Sequence, residues 1–250
     1  MKLTYLILSV AACCSAMLTA SAQDNYSLWP RRPEELGMAR KLIAQQKWGE
    51  AVHLLLPFVH DTGALGSETR AIVGRINSVR YLSRMHPHSV VYTVRKGDNL
   101  PKIASFTKCP TDLLMVYNGL VEPSALKIGQ KLVYIDASLR VEIYTSLNEI
   151  TVWDGDLLVA SYKIHSLKGN IPSPQQEVET NIASRESYIQ GKRIPDNAVQ
   201  TAIADKVIRL ADGIAICSPE GKERNALHLS QKDINELSFL VKTGCVVLWR

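Results

Sequence analysis

The spacing of apolar residues changes character twice along the chain. In "EELGMARKLIAQQKW", Leu36, Ala39, Leu42 and Ile43 fall on one face at helical spacing. "WGEAVHLLLPFVH" predicts a second apolar helix, which Pro57 bends or shortens. "SETRAIVGRINSVRYLSRM" predicts a third, with Ser67 as its N-cap and Ile72, Ile76 and Val79 on one side. "MHPHS" then breaks the helical pattern. Residues 90–135 predict a compact β-α-α-β unit: the strand "VVYTV", two short helices and the strand "KLVYI". Asn99 caps the first of these helices, whose apolar face is Leu100, Ile103 and Ala104. Pro110 opens the second, in which Leu113, Leu114 and Tyr117 face inward.

From Leu139 the period becomes two. "RVEIYT" is a strand, and "NEITVW" and "LLVASYKI" form a hairpin about Asp154-Gly155. "GIAICS" is apolar throughout, the mark of a central strand. "SQKDINELSFLVKTG" predicts a helix capped by Ser230, with Ile234, Leu237 and Val241 inward, and "CVVLW" a closing strand. The expected fold is α+β and multidomain: a helical module at 34–86, a small β-α-α-β module at 90–135, and a mostly-β domain at 139–250.

The first 22 residues read as an address. A short basic start, an apolar stretch and Ala20/Ala22 in an A-x-A pattern predict a signal peptide with Gln23 as the new N-terminus. "VAAC", ending at Cys13, also resembles a bacterial lipobox, so a lipid anchor on Cys13 stays open beside simple secretion. Both place the protein in the periplasm or cell envelope. Residues 23–33 form a tether.

Hydrophobic residues make up 46% of the chain and charged residues 21%, enough apolar content for packed cores. The net charge of +5 is spread without a long Lys/Arg run, so nucleic acid is not an expected partner. Past the signal segment no apolar run is long enough to cross a bilayer.

The stretch "YTVRKGDNLPKIASFTKCPTDLLMVYNGLVEPSALKIGQKL" resembles a LysM domain along its whole length. It shares the Y-T-V strand, the Gly97-Asp98 turn, Leu100 with Ile103-Ala104, Leu114 with Asn118, and Gly129-Gln130-x-Leu132. The resemblance implies binding of peptidoglycan or another N-acetylglucosamine-containing glycan. The family's groove lies between two loops, here Gly97–Pro101 and Gly119–Leu126. The implied glycan-binding residues are Gly97, Asp98, Asn99, Leu100, Asn118, Gly119 and Leu120. Asn99 stands where the family has a small hydroxyl residue, and Pro101 where it has a bulky one. For Asp98 and Asn118, turn and cap duty competes with sugar contact. Upstream, "ARKLIAQQKWGEAVHLLLPFV" resembles one tetratricopeptide-type helical hairpin, so residues 34–86 are a candidate contact for an envelope protein partner.

The order of elements after Leu139 resembles the L,D-transpeptidase (YkuD-type) domain. "VWDGD" stands for the family's V-Y-x-N-G hairpin, Ser173-Pro174-Gln175-Gln176 for its T-P-x-G turn, and "KTGCV" for its terminal G-T-x-V. That family uses a thiolate, a histidine base and backbone N–H donors for the oxyanion. Here the nucleophile position is Ala226, with Glu223, Arg224 and Asn225 before it and His228 at the motif arginine. The base position is Cys217. The resemblance therefore implies a degenerate site with no catalytic residue in place. The alternative is an active cross-linking enzyme whose thiol chemistry has moved to Cys217 and His228. Cys109, Cys217 and Cys245 follow the signal segment, either as three buried thiols or as one bridge and one thiol. His53, His60, His86, His88 and His165 lie in structural or linker patterns, and neither a metal nor a cofactor is expected.

Overall fold

The computed structural model describes residues 34–83, 89–120, 126–172, 177–194 and 204–250. The expected signal segment with Cys13, the tether, His86, His88 and the turn at 173–176 lie outside the described residues. Two compact units result, Met1–Val79 and Arg80–Arg250. Among the described residues, no helix is long and apolar enough to cross a membrane.

The first unit holds α1 (Glu34–Ala44), α2 (Trp48–Leu55), a 3-10 turn at Leu56–Phe58 and most of α3 (Ala64–Tyr81). Leu36, Ala39 and Ile43 of α1 are buried, as are Ala51, Val52 and Leu55 of α2. Pro57 falls in the 3-10 turn, where the α-helix stops. Ser67 does not cap α3. The helix starts at Ala64, and the Ser67 N–H is already bonded to the Gly63 carbonyl. Val79 is exposed too, because the buried line of α3 runs through Thr69, Arg70, Val73 and Ile76. Arg70 is buried because it has work to do: its guanidinium donates to the carbonyls of Val59 (3.0 Å) and Asp61 (2.6 Å). It thereby satisfies backbone acceptors in the turn between α2 and α3.

The second unit mixes helices and strands around a main apolar core, with a smaller buried cluster of Val207, Ala215, Cys217 and Ala226 beside it. β1 (Ser89–Thr93) and β2 (Lys131–Ile135) pair antiparallel, with α4 (Leu100–Thr107) and α5 (Thr111–Asn118) between them in sequence. Next come β3 (Leu139–Tyr144), β4 (Glu149–Asp154), β5 (Leu157–Lys163), β6 (Ser166–Lys168), β7 (Val178–Ile189), β8 (Lys192–Ile194), β9 (Asp205–Leu210), β10 (Ala215–Cys217) and β11 (Ala226–His228). The helix α6 (Gln231–Leu240) and the strand β12 (Val246–Trp249) close the chain. Among the described residues these strands form a ten-stranded sheet ordered β5-β4-β3-β12-β7-β9-β10-β11-β6, with β8 on β7. Its pairs are antiparallel except β3 with β12 and β10 with β11.

The hairpin turns at Gly155, whose φ of +57° suits glycine. Ser230 caps α6 by accepting from the Asp233 N–H at 3.1 Å, and Ile234 and Leu237 are buried beneath it. Val241 is buried as expected but lies one residue past the helix, in extended backbone. Buried Trp153 and Trp249 each find an acceptor for the indole N–H, in Thr151 and Asp212.

Candidate functional site

Two regions of the second unit carry the residues singled out in the sequence. In the small module, α4 starts where Asn99 Oδ1 accepts from the Lys102 N–H at 2.9 Å. Asp98 belongs to the turn itself. Its Oδ2 accepts from the Arg95 N–H at 2.7 Å and from the Tyr92 hydroxyl at 2.9 Å. Those two bonds, the backbone one first, hold its carboxyl below the usual range. Leu100 is fully buried and Leu120 nearly so. Asn118 is occupied as well: its amide donates to the carbonyls of Leu114 and Val133, both at 2.8 Å, and accepts from the Val133 N–H at 2.7 Å. It ties α5 to β2.

Gly119 ends α5 in the left-handed conformation, φ +61°. Gly97, Asn99 and Gly119 are thus the exposed members of the set. Residues 97–99 share one turn, while the bonds of Asn118 run to β2. Residues 121–125 of the second loop lie outside the described ones. Two exposed apolar residues escaped the sequence reading: Phe106 and Ile128, 70% and 72% exposed. Phe106 was legible as an aromatic off the apolar face of its own helix, four residues after Lys102.

The second region is one face of the large sheet. β10 and β11 run parallel, with Ala215 opposite Ala226 and Cys217 opposite His228. β6 continues the sheet, with Lys168 opposite Ala226 and Ser166 opposite His228. Alternation along the strands puts Cys217, Ala226 and His228 on the same face. The sheet therefore brings together the three positions that the sequence singled out.

All three are buried, and the loop between the two strands reaches Cys217 and His228 at Gly221. A Cβ on Gly221 would lie 2.4 Å from the Cys217 sulfur, so only glycine passes that close. The Gly221 carbonyl lies 3.4 Å from His228 Nε2, and Ser166 Oγ lies 3.1 Å from Nδ1. Glu223 pins the same loop through two bonds to Arg209, at 2.9 and 3.0 Å. Arg209 also donates to Glu186 at 3.1 Å, and Glu186 accepts from the Tyr188 hydroxyl at 2.6 Å.

Burial first, and then Glu223, push the Cys217 thiol up to about 11. At neutral pH it is a thiol, which is a poor nucleophile. The other two cysteines are buried and free as well. The Cys245 thiol donates to the Leu139 carbonyl at 3.0 Å, and burial pushes it up to about 11. No disulfide joins these three described cysteines. Among the described residues, no group of His, Cys, Asp and Glu could hold a metal ion.

Residues 92–133 match the LysM domain family. No curated protein matches the chain. Solved structures similar to it include L,D-transpeptidase 1 of Mycobacterium tuberculosis, at 12% identity and a TM-score of 0.34, covering 49% of this chain and 67% of that one. An L,D-transpeptidase from Mycobacterium smegmatis matches at 11% and 0.29, covering 49% and 63%. A cysteine-to-serine mutant of the Enterococcus faecium L,D-transpeptidase matches at 12% and 0.31, covering 56% and 63%. Likeness at this level transfers no residue role.

The LysM module is fastened to the sheet domain. Asp112, in the first turn of α5, pairs with Arg185 of β7 at 3.1 Å, both largely buried. The same guanidinium donates to the carbonyls of Ser238 and Val241, at the C-terminal end of α6. It thus meets a carboxylate at one helix start and bare carbonyls at another helix end. Lys242 Nζ donates to the Lys108 carbonyl at 3.1 Å. An apolar seam of Cys109, Leu113, Ile135, Leu139, Leu240 and Cys245 lies between. Burial, and then Asp112, push the Cys109 thiol up to about 12.

Proposed function

We propose that this is an exported cell-envelope protein that holds peptidoglycan, or a related N-acetylglucosamine-containing glycan, through its LysM module. The match over residues 92–133 carries this reading. Gly97 and Gly119 are exposed there, and a glycine lets a ligand approach the backbone with no side chain in the way, which supports the reading.

The sheet domain serves as a scaffold, inactive as an L,D-transpeptidase. A methyl group at Ala226 cannot attack a carbonyl. Cys217 is sealed beneath Gly221, and both nitrogens of His228 are engaged by Ser166 and Gly221. Residues 34–86 offer a surface for an envelope protein partner.

The test is co-sedimentation of the full chain with insoluble peptidoglycan. Folded protein that stays in the supernatant would refute the glycan reading. Export is tested on the mature N-terminus by mass spectrometry. Gln23 marks free secretion and diacylglyceryl-Cys13 a lipid anchor. Protein that keeps Met1 in the cytosolic fraction would remove export.

A further inference from the structure

One exposed surface of the LysM module is built without any need of its own core. The apolar side of α4 is complete with Leu100, Ile103 and Ala104, all buried. Phe106 adds nothing to it and stands 70% exposed. Beneath it lies Tyr92, with ring centroids 5.6 Å apart and planes tilted by 58°. Tyr92 is held from two further sides. Its hydroxyl donates to Asp98, and the Arg95 guanidinium lies 6.0 Å from its ring. Lys102 stands one helical turn before Phe106, on the same face, with its ammonium 3.1 Å from the Gly97 carbonyl. Arg95, Lys96 and Lys102 are all exposed, while the nearby carboxylate, Asp98, is consumed by its own turn. The result is an aromatic ring open to solvent, beside three cations and one carboxylate that leave a net positive charge.

We propose that Phe106, supported by Tyr92, is a stacking platform for one pyranose ring of a glycan that bears a carboxylate, with Arg95 and Lys102 facing the acid. This rests on the glycan-binding reading of the module and adds to it a residue set outside the two loops of the family's groove. A pyranose offers a flat face of C–H groups, which suits the electron-rich face of an aromatic ring. A carboxylate on that sugar gains charge-assisted hydrogen bonds from the cations. A single ring is too small a patch for a stable protein interface, which needs several hundred square ångströms on each side. The acid can come from peptidoglycan, through its lactyl and peptide carboxylates, or from a uronic-acid polysaccharide.

The experiment compares the full chain with Phe106→Ala and Lys102→Gln, by calorimetry. The ligands are a neutral chitin oligomer, a soluble stem-bearing peptidoglycan fragment and an oligogalacturonate. Single-stranded RNA is the control, because bases also stack on aromatic rings. Wild type should bind a carboxylated glycan more tightly than the chitin oligomer. Phe106→Ala should weaken that binding about tenfold, with thermal unfolding unchanged and chitin binding little altered. The carboxylated ligand that loses affinity identifies the source of the acid.

Equal affinity of wild type and Phe106→Ala for both carboxylated glycans overturns the platform and leaves the LysM reading intact. So does a preference for RNA over every glycan when chitin still binds. Failure of wild type to bind any of the glycans overturns both.

Discussion

Cys217 and His228 stand opposite each other on two parallel strands, yet the imidazole turns both nitrogens to other partners. A thiol and an imidazole on one sheet face are the right groups for nucleophilic catalysis. Here they are neighbours without being a pair. The loop that returns from β10 to β11 lies on the thiol and takes one ring nitrogen, and exposed Ser166 takes the other. What separates this arrangement from a catalytic one is the path of residues 218–225.

Turnover of tetrapeptide stems should be undetectable with the wild-type chain. Ala226→Cys alone should not restore it, because the new thiol would lie buried with no imidazole free to take its proton. A nucleophile and its base act as a unit, so lacking both costs several orders of magnitude in rate. Stem-peptide transpeptidase and carboxypeptidase assays decide the matter. Wild-type turnover abolished by Cys217→Ser would put the nucleophile on β10 and end the scaffold reading.

Gly221→Ala should destabilise the protein by about 1–3 kcal/mol, since the added methyl meets the Cys217 sulfur. Combining it with Cys217→Ala should recover part of the loss. Recovery would be incomplete, because the Cys217 Cβ and the Ser218 carbonyl also lie close. Urea denaturation of the two single variants and the double variant measures the coupling. Purely additive effects would show that the loop does not rest on the thiol.

Stability should fall at alkaline pH. The three buried thiols titrate from about 9 when unfolded, but at about 11 for Cys217 and Cys245 and about 12 for Cys109 when folded. Their raised folded values mean that the contribution is fully present below pH 9. Above it the unfolded chain releases protons that the folded chain keeps, and the contribution is lost as pH rises towards 11–12. Buried Tyr81 and Tyr117, also shifted upward by burial, deepen the loss above about pH 10. Denaturation curves from pH 7 to 11 test this. Cys109→Ala should flatten the decline, and an unchanged slope would count against it.

Asp112→Ala should cost about 3–5 kcal/mol, because it strands the buried Arg185 guanidinium. Replacing both residues with apolar ones of similar size should cost less than the sum of the single losses. Thermal unfolding and limited proteolysis between the LysM module and the sheet domain should show this. Asp112→Ala as stable as wild type would mean that Arg185 draws nothing from the pair.

The legible parts of the fold were those with local signals. Asp154-Gly155 announced its hairpin, Ser230 its helix, and Asn99 the start of α4. The LysM pattern gave the module and, through it, the leading functional reading. β7 was not legible. Its twelve residues, VETNIASRESYI, show no regular apolar-polar alternation, and β9 and β12 pair with it on either side. Nor could three-residue strands such as β10 and β11 establish a period. The neighbourhood of Cys217 and His228, eleven positions apart, is created by sheet pairing, and the Gly221 contact by the loop between. The platform at Phe106 needed the structure because Tyr92, its support, sits on a strand fourteen residues away.

Arg185 also decides how a pull on the module travels. It belongs to β7, which is bonded to β9 on one side and β12 on the other, near the middle of the ten-stranded sheet. Part of any tension on a glycan held by the LysM module would pass from α5 through Asp112 to this guanidinium and into β7, beside the Lys242 bond, the apolar seam and the chain itself. Hydrogen bonds loaded together in shear share the force, whereas a free linker would yield first. The module is mounted as a bracket, with its fastening in the middle of the plate.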